Sequence, residues 1–215
     1  VLVACWSAKG GSGTTVVAAA LGNVLARSSP GGALLVDLGG DLPAALGLPE
    51  PAGPGISDWL AAGDDVPADA LDRLTLPNGE GLGLLPRGQG PMAHVGGDRL
   101  AAALAARSSV VVVDCGTPGD PVGTAVASAA GLSLLVLRPC YLAVRRALAA
   151  PIRPSGVILV SEPHRSLSRK DVEEVLGVPV RAEVAWDPEV ARCVDAGLLG
   201  RRVPRALERS LRRAA

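Results

Sequence analysis

Within ten residues, Trp6-Ser-Ala-Lys-Gly-Gly-Ser-Gly-Thr-Thr15, the chain places one cation, Lys9, three glycines, Gly10, Gly11 and Gly13, and the hydroxyls of Ser12, Thr14 and Thr15. This mixture suits a phosphate. Glycines let successive backbone N–H groups turn inward, with no Cβ between them and the phosphate oxygens. Two carboxylates elsewhere extend the chemistry. Asp37 closes the apolar run Ala-Leu-Leu-Val-Asp, and Asp114 closes Val-Val-Val-Val-Asp. An Asp at the C-terminal end of a parallel strand stands where ligands bind in open α/β sheets. A nucleotide polyphosphate with Mg²⁺ fits this set, with Thr15, Asp114 and Asp37 on the metal side.

Positioning these groups requires a strand, a tight turn and a helix. Residues 1–5 are apolar and read as a short buried strand, and residues 16–26 read as a buried helix. That order is the geometry of a phosphate-binding loop, to which a helix start adds free N–H groups and the positive dipole end. In the usual pattern, Gly-x-x-x-x-Gly-Lys-Ser/Thr, Gly13 and Thr15 fit, while Ala8 replaces the first Gly and Thr14 the Lys. A Lys sits instead at position 9. The chain has 19 Arg and 2 Lys, so a Lys in this loop is a departure from its own habit. A compact ammonium fits beside a phosphate where a guanidinium fork is bulky. A ligand-free glycine turn is the competing reading, and the complete order of strand, loop, Thr and helix argues against it.

At 215 residues, with 48 % hydrophobic and 20 % charged residues, the chain suits a folded domain with a sizeable core. With no Phe, one Tyr and three Trp, that core is built from Ala, Leu and Val. The formal net charge of zero gives no overall pull toward nucleic acid or acidic membrane, so any such pull is local. Cys5, Cys115, Cys140 and Cys193 lie far apart, without metal-ligand spacing, and read as reduced thiols. The sequence starts at Val1, which leaves the native start open. No leader-like segment or long apolar run is visible, and the expected location is the cytoplasm.

Further strands are expected at 33–36, 81–85, 110–113, 132–137, 156–160 and 180–184, alternating with helices. About seven strands result, giving an α/β fold with a mostly parallel twisted sheet covered on both faces. Asp41 has two readings, a catalytic carboxylate or the N-cap of the short helix after it, and the cap is favoured. Residues 49–80 read as a surface excursion with two short helices, at 56–61 and 68–74, where Trp59 is either a packing anchor, the favoured reading, or part of a partner surface. His94 reads as an exposed loop residue. Asp98 is a cap for a helix at 99–107, Ser168 for one at 169–176, and Pro188 opens another.

Lys-Gly-Gly-x-Gly-x-Thr at 9–15 resembles the deviant Walker A loop of the ParA/MinD family of dimeric P-loop ATPases. The resemblance runs from the first strand to about residue 200. Residues 171–180 and 187–197 look most like its septum-site and Tad-pilus branch (the CpaE/TadZ type). It implies a P-loop NTPase of the SIMIBI type that binds ATP and Mg²⁺ through Lys9, Gly10, Gly11, Ser12, Gly13, Thr14 and Thr15, with Asp114 as the Walker B carboxylate and residues 115–119 as switch II. It also implies a homodimer across the nucleotide, with Lys9 reaching the partner's phosphates, an unidentified protein partner, and a location at membrane, pole or septum. Three positions depart from the family. Thr14 stands for the phosphate-holding Lys, Gly39 for the water-positioning Asp, and Ser161-Glu-Pro163 for the strand end that reads adenine. Of the possible catalytic residues Lys9, Asp37 and Asp41, none is assigned firmly, and weak or absent ATPase activity is expected.

Residues 1–200 form the expected domain, and 201–215 a basic C-terminal helix or tail with six Arg and one Glu. Leu207 and Leu211 share one helical face with Ala214 or Ala215. A docked last helix is favoured, with DNA backbone and anionic membrane open as partners of its Arg cluster. Three functions remain: a nucleotide-controlled positioning switch, a nucleotide-free scaffold on the same fold, and a DNA-partitioning ATPase.

Overall fold

The computed structural model describes residues 1–63, 65–67 and 69–214. Its strands are β1 (Leu2–Trp6), β2 (Ala33–Asp37), β3 (Leu76–Pro77), β4 (Leu82–Leu85), β5 (Val110–Asp114), β6 (Leu132–Leu137), β7 (Gly156–Ser161) and β8 (Val180–Ala185). They form one sheet in the order β3-β4-β2-β5-β1-β6-β7-β8. Every pairing is parallel except β3 with β4. The sheet thus has eight strands where about seven were expected. The extra one is the two-residue β3, too short to show any alternation.

Side-chain alternation along the central strands produces two cores. Leu2, Ala4 and Trp6 of β1 join Val111 and Val113 of β5 on one face. Val3, Cys5 and Val112 feed the other. A strand buried on both faces needs the continuous apolar runs seen in the sequence. Trp6, assigned to the loop by sequence, is a fully buried β1 residue whose Nε1–H donates to Ser133 Oγ at 3.1 Å.

The helices are α1 (Thr14–Ser28), α2 (Leu42–Leu46), α3 (Ile56–Ala61), α4 (Ala70–Arg73), α5 (Gly97–Ala105), α6 (Pro121–Ala129), α7 (Tyr141–Ala149), α8 (Arg169–Leu176), α9 (Pro188–Asp195) and α10 (Arg205–Leu211). Local chemistry sets several starts. Asp120 accepts from Val122 N–H and Gly123 N–H at the head of α6, and Ser168 with Asp171 forms a capping box on α8. Asp187 caps α9, with Pro188 first in the helix. The expected cap at Asp98 is corrected. Gly96 holds that position with φ +86°, so α5 starts earlier and Asp98 falls in its first turn. The helix expected over 68–74 is the shorter α4, and Ala68 lies outside the described residues.

In α10, Leu207 and Leu211 are 2 % and 0 % exposed and pack toward α1 and β8. Its apolar face is therefore covered by the body of the protein. Trp59 is a buried anchor, with the Arg99 guanidinium 3.7 Å from its ring centroid. All four cysteines are free. Among the described residues, no helix is long and apolar enough to cross a membrane.

Candidate functional site

The chain moves from β1 to one side of the sheet, returns to place β5 beside β1, and continues with β6 on the other side. This reversal leaves a crevice at the C-terminal end of β1, where ligands of open α/β sheets bind. The glycine loop fills that position. Gly11 and Gly13 take φ +76° and +89°, and Gly13 is the N-cap of α1. Ser12 Oγ–H donates to the Lys9 carbonyl at 2.8 Å and holds the turn closed. A Cβ at Gly10, Gly11 or Gly13 would meet no atom within 4 Å, so the loop faces open space.

That space is a cleft of about 820 Å³. One wall is residues 10–16. The others come from Gly39 and Asp41 after β2, Arg87 and His94 after β4, and residues 115–117 and 119–121 after β5. His94 is exposed as expected, at the rim of this cleft. The loops are tied to one another. Ser7 N–H donates to Gly116 O at 2.9 Å, and Leu38 N–H and Gly39 N–H donate to Asp114 O at 3.0 and 3.2 Å.

Asp37 and Asp114 are register partners on adjacent parallel strands and both are buried. Burial raises the Asp37 pKa to about 7, against the pull of Gly40 N–H and with the Asp114 charge adding to it. Burial likewise raises that of Asp114, while the Thr15 hydroxyl and Gly116 N–H lower it. Gly116 N–H donates to Asp114 Oδ1 at 3.0 Å, but Oδ2 is buried without a partner in hydrogen-bond geometry, so Thr15 acts on the carboxyl at longer range. The oxygens of Asp37 are engaged. Oδ1 accepts from Gly40 N–H at 2.7 Å and Oδ2 from Leu42 N–H at 3.3 Å. Asp37 thereby does the capping expected of Asp41, which holds the N-cap position without a side-chain bond and turns its exposed carboxylate to the cleft. The favoured reading of Asp41 is corrected accordingly.

Residues 10–15 and Asp41 line the cleft, Asp37 and Asp114 are buried at the strand ends whose following residues line it, and Lys9 is outside the lining. Lys9 borders an adjoining hollow, which shares Gly10 and Thr117 with the cleft and is walled also by Pro118 and Arg146. Thr14 is buried in the first turn of α1. A smaller apolar hollow of about 210 Å³ adjoins the loop, walled by Val16, Val17, Val160 and Trp186, with Arg138 at its edge. Ser161 is outside its lining and donates to Val184 O at 3.5 Å. The thiols of Cys5 and Cys115 are pushed far up by burial and are inert packing groups.

No protein-family model matches the chain, and no curated protein matches it in sequence. Solved structures do match. A ParA family ATPase from Chlorobium tepidum superposes with a TM-score of 0.75 at 22 % identity, covering 98 % of this chain and 96 % of its own. MinD of Pyrococcus horikoshii, solved with Mg-ADP, gives 0.76 at 16 % identity, covering 99 % and 93 %. The fold is that of the ParA and MinD ATPases. MinD of Aquifex aeolicus in its complex with MinC gives 0.74 at 20 % identity, covering 99 % and 94 %. In this ParA/MinD fold the described cleft lies where the strand order reverses. Sequence reasoning missed Arg87, Arg138 and Trp186 as wall residues, because only the folded sheet brings their loops beside the glycine turn.

Proposed function

We propose that this protein is an ATP- and Mg²⁺-binding positioning switch of the ParA/MinD kind, with weak or absent hydrolysis. The observation that carries the reading is Asp114. Its buried Oδ2 has no hydrogen-bond partner, the Thr15 hydroxyl acts on its carboxyl, and Thr15 and the residues that follow Asp114 line an open cleft with the glycine backbone. A buried carboxylate oxygen without a partner is costly unless something binds there, and Mg²⁺ with its water is the fitting ligand. Among the described residues, no three His, Cys, Asp or Glu side chains cluster as metal ligands. Thr15 and Asp114 would share the ion with phosphate and water, and Asp37 would hold the loop around it. When bound, the ion neutralises charge on the phosphates. The adjoining apolar hollow, with Trp186 on its wall, suits the base.

Hydrolysis is weak in this reading because two groups are absent. Thr14 offers a short buried hydroxyl where a cation would hold the phosphates, and Gly39 offers no carboxylate to orient water. Losing one such transition-state contact costs on the order of 10²-fold or more. In this reading Lys9, which borders the outer hollow with Arg146, acts on a second copy rather than on its own cleft. A homodimer across the nucleotide and a protein partner at a septum, pole or pilus machine follow from that reading. The covered apolar face of α10 argues against membrane insertion. The exposed Arg205, Arg209, Arg212 and Arg213 favour a phosphate backbone as a second partner.

Calorimetric titration with a non-hydrolysable ATP analogue and Mg²⁺ tests the proposal. The expected result is binding by the wild type and by Lys9→Ala, with analogue-dependent dimerisation, read by sedimentation velocity, lost in Lys9→Ala. No binding by the wild type would overturn the switch and leave a nucleotide-free scaffold.

A further inference from the structure

Resting on the nucleotide reading, we infer that Arg87 distinguishes a nucleoside triphosphate from a diphosphate by pairing with its terminal phosphate. The cleft has one Lys or Arg among its lining residues, and it is Arg87. Lys9 lies outside, and position 14 is Thr. Arg87 follows β4 by two residues, lines the cleft with the glycine loop and lies beside the turn that follows Asp37. A Cβ at Gly40 would stand 3.4 Å from its Nη1 and 3.5 Å from its Cδ. The side chain thus lies along the segment that would answer to a third phosphate.

This guanidinium is not already neutralised. Among the described residues, no carboxylate lies within ion-pair distance of Arg87, although Asp41 lines the same cleft. Its Nε is buried without a hydrogen-bond partner. A permanent cation on the cleft wall with no carboxylate paired to it suits an anion with several acceptor oxygens, and a phosphate matches the guanidinium fork.

The backbone that carries Arg87 is fixed by the excursion at 49–80. Ser57 N–H donates to Arg87 O at 2.8 Å, and Ile56 N–H donates to Pro86 O at 3.0 Å. Asp58 Oδ2 accepts from Gly55 N–H at 2.7 Å and sets the start of α3. Gly55 packs so closely that a Cβ there would strike Gly88 N and Pro86 O. Through this clamp the excursion fixes the backbone that carries the cation at the cleft, and a preorganised charge discriminates better than a mobile one.

The test is the affinity of Mg²⁺-ADP and of a Mg²⁺-bound non-hydrolysable ATP analogue, by calorimetry, for wild type, Arg87→Ala and Arg87→Lys. Thermal melts check that each variant is folded. The wild type should bind the triphosphate more tightly than ADP. Arg87→Ala should lose about tenfold or more for the triphosphate and keep its ADP affinity within about twofold. Arg87→Lys should fall between. Equal affinity of the wild type for both nucleotides, or an equal loss or none for both in Arg87→Ala, overturns the role of Arg87 and leaves nucleotide binding standing. A wild type that binds neither nucleotide overturns both.

Discussion

Asp37 and Asp114 face each other as register partners on β2 and β5, both buried. Each carboxyl has its pKa raised by burial first, and at Asp37 the neighbouring charge adds to it. The folded Asp37 titrates near 7 and the unfolded one near 3.8. Between those values the native state holds a proton that the unfolded state has released, so stability falls as pH rises through that window. The unfolding free energy without Mg²⁺ should therefore decrease from pH 5 to pH 8 by on the order of a few kcal/mol, and the melting temperature should fall with it. Asp37→Asn should reduce the slope, leaving the share of Asp114, whose pKa burial also raises. A flat wild-type profile would mean that neither Asp37 nor Asp114 holds a proton in this window. Glu162, Asp171, Glu173 and Glu208 are shifted downward and titrate below this range.

Gly39 lies against the Asp114 carboxylate. A Cβ there would stand 3.3 Å from Asp114 Oδ2. Gly39→Asp, which restores the carboxylate expected from the family resemblance, should crowd a third negative charge into the pair. The variant should melt lower than wild type, and by more at pH 8 than at pH 5. An equal loss at both pH values would indicate crowding without charge repulsion.

Thr14 lines the cleft in the first turn of α1, where the usual loop carries a Lys. Thr14→Lys should raise affinity for the Mg²⁺-ATP analogue about tenfold, the worth of one hydrogen bond to a charged group. Calorimetry reads it directly. Unchanged affinity would mean that the phosphates do not lie against the start of α1.

Much of this arrangement was legible in the sequence. Strands β2, β5 and β6 and helices α3 and α8 fall where apolar runs, caps and turn residues put them. The glycine loop and the two strand-end Asp residues were found because their chemistry is local, a residue type at a fixed place in a strand or turn. What was missed depends on residues far apart. Asp41 sits where a cap belongs, but Asp37, held by β2, reaches Leu42 N–H first. Lys9 belongs to the loop by sequence and leaves the cleft in space. Arg87 sits in a Pro/Gly segment with no periodicity, and its place on the cleft follows from β4 pairing with β2.

Gly47 and Gly197 meet where the end of α2 touches the turn after α9. Gly47 has φ +73° and Gly197 φ +64°, and a Cβ on Gly47 would fall inside the Gly197 carbonyl group. Gly47→Ala combines left-handed strain with a backbone collision that no rotamer can relieve, and should cost about 2 kcal/mol or more. Denaturant unfolding measures it. Gly177→Ala is the control: Gly177 also ends a helix in the left-handed region, with φ +68°, but nothing lies within 4 Å of its Cβ position. Its loss should be on the order of 1 kcal/mol, the strain alone. Equal losses for the two variants would mean that the Gly47–Gly197 contact contributes nothing beyond backbone conformation.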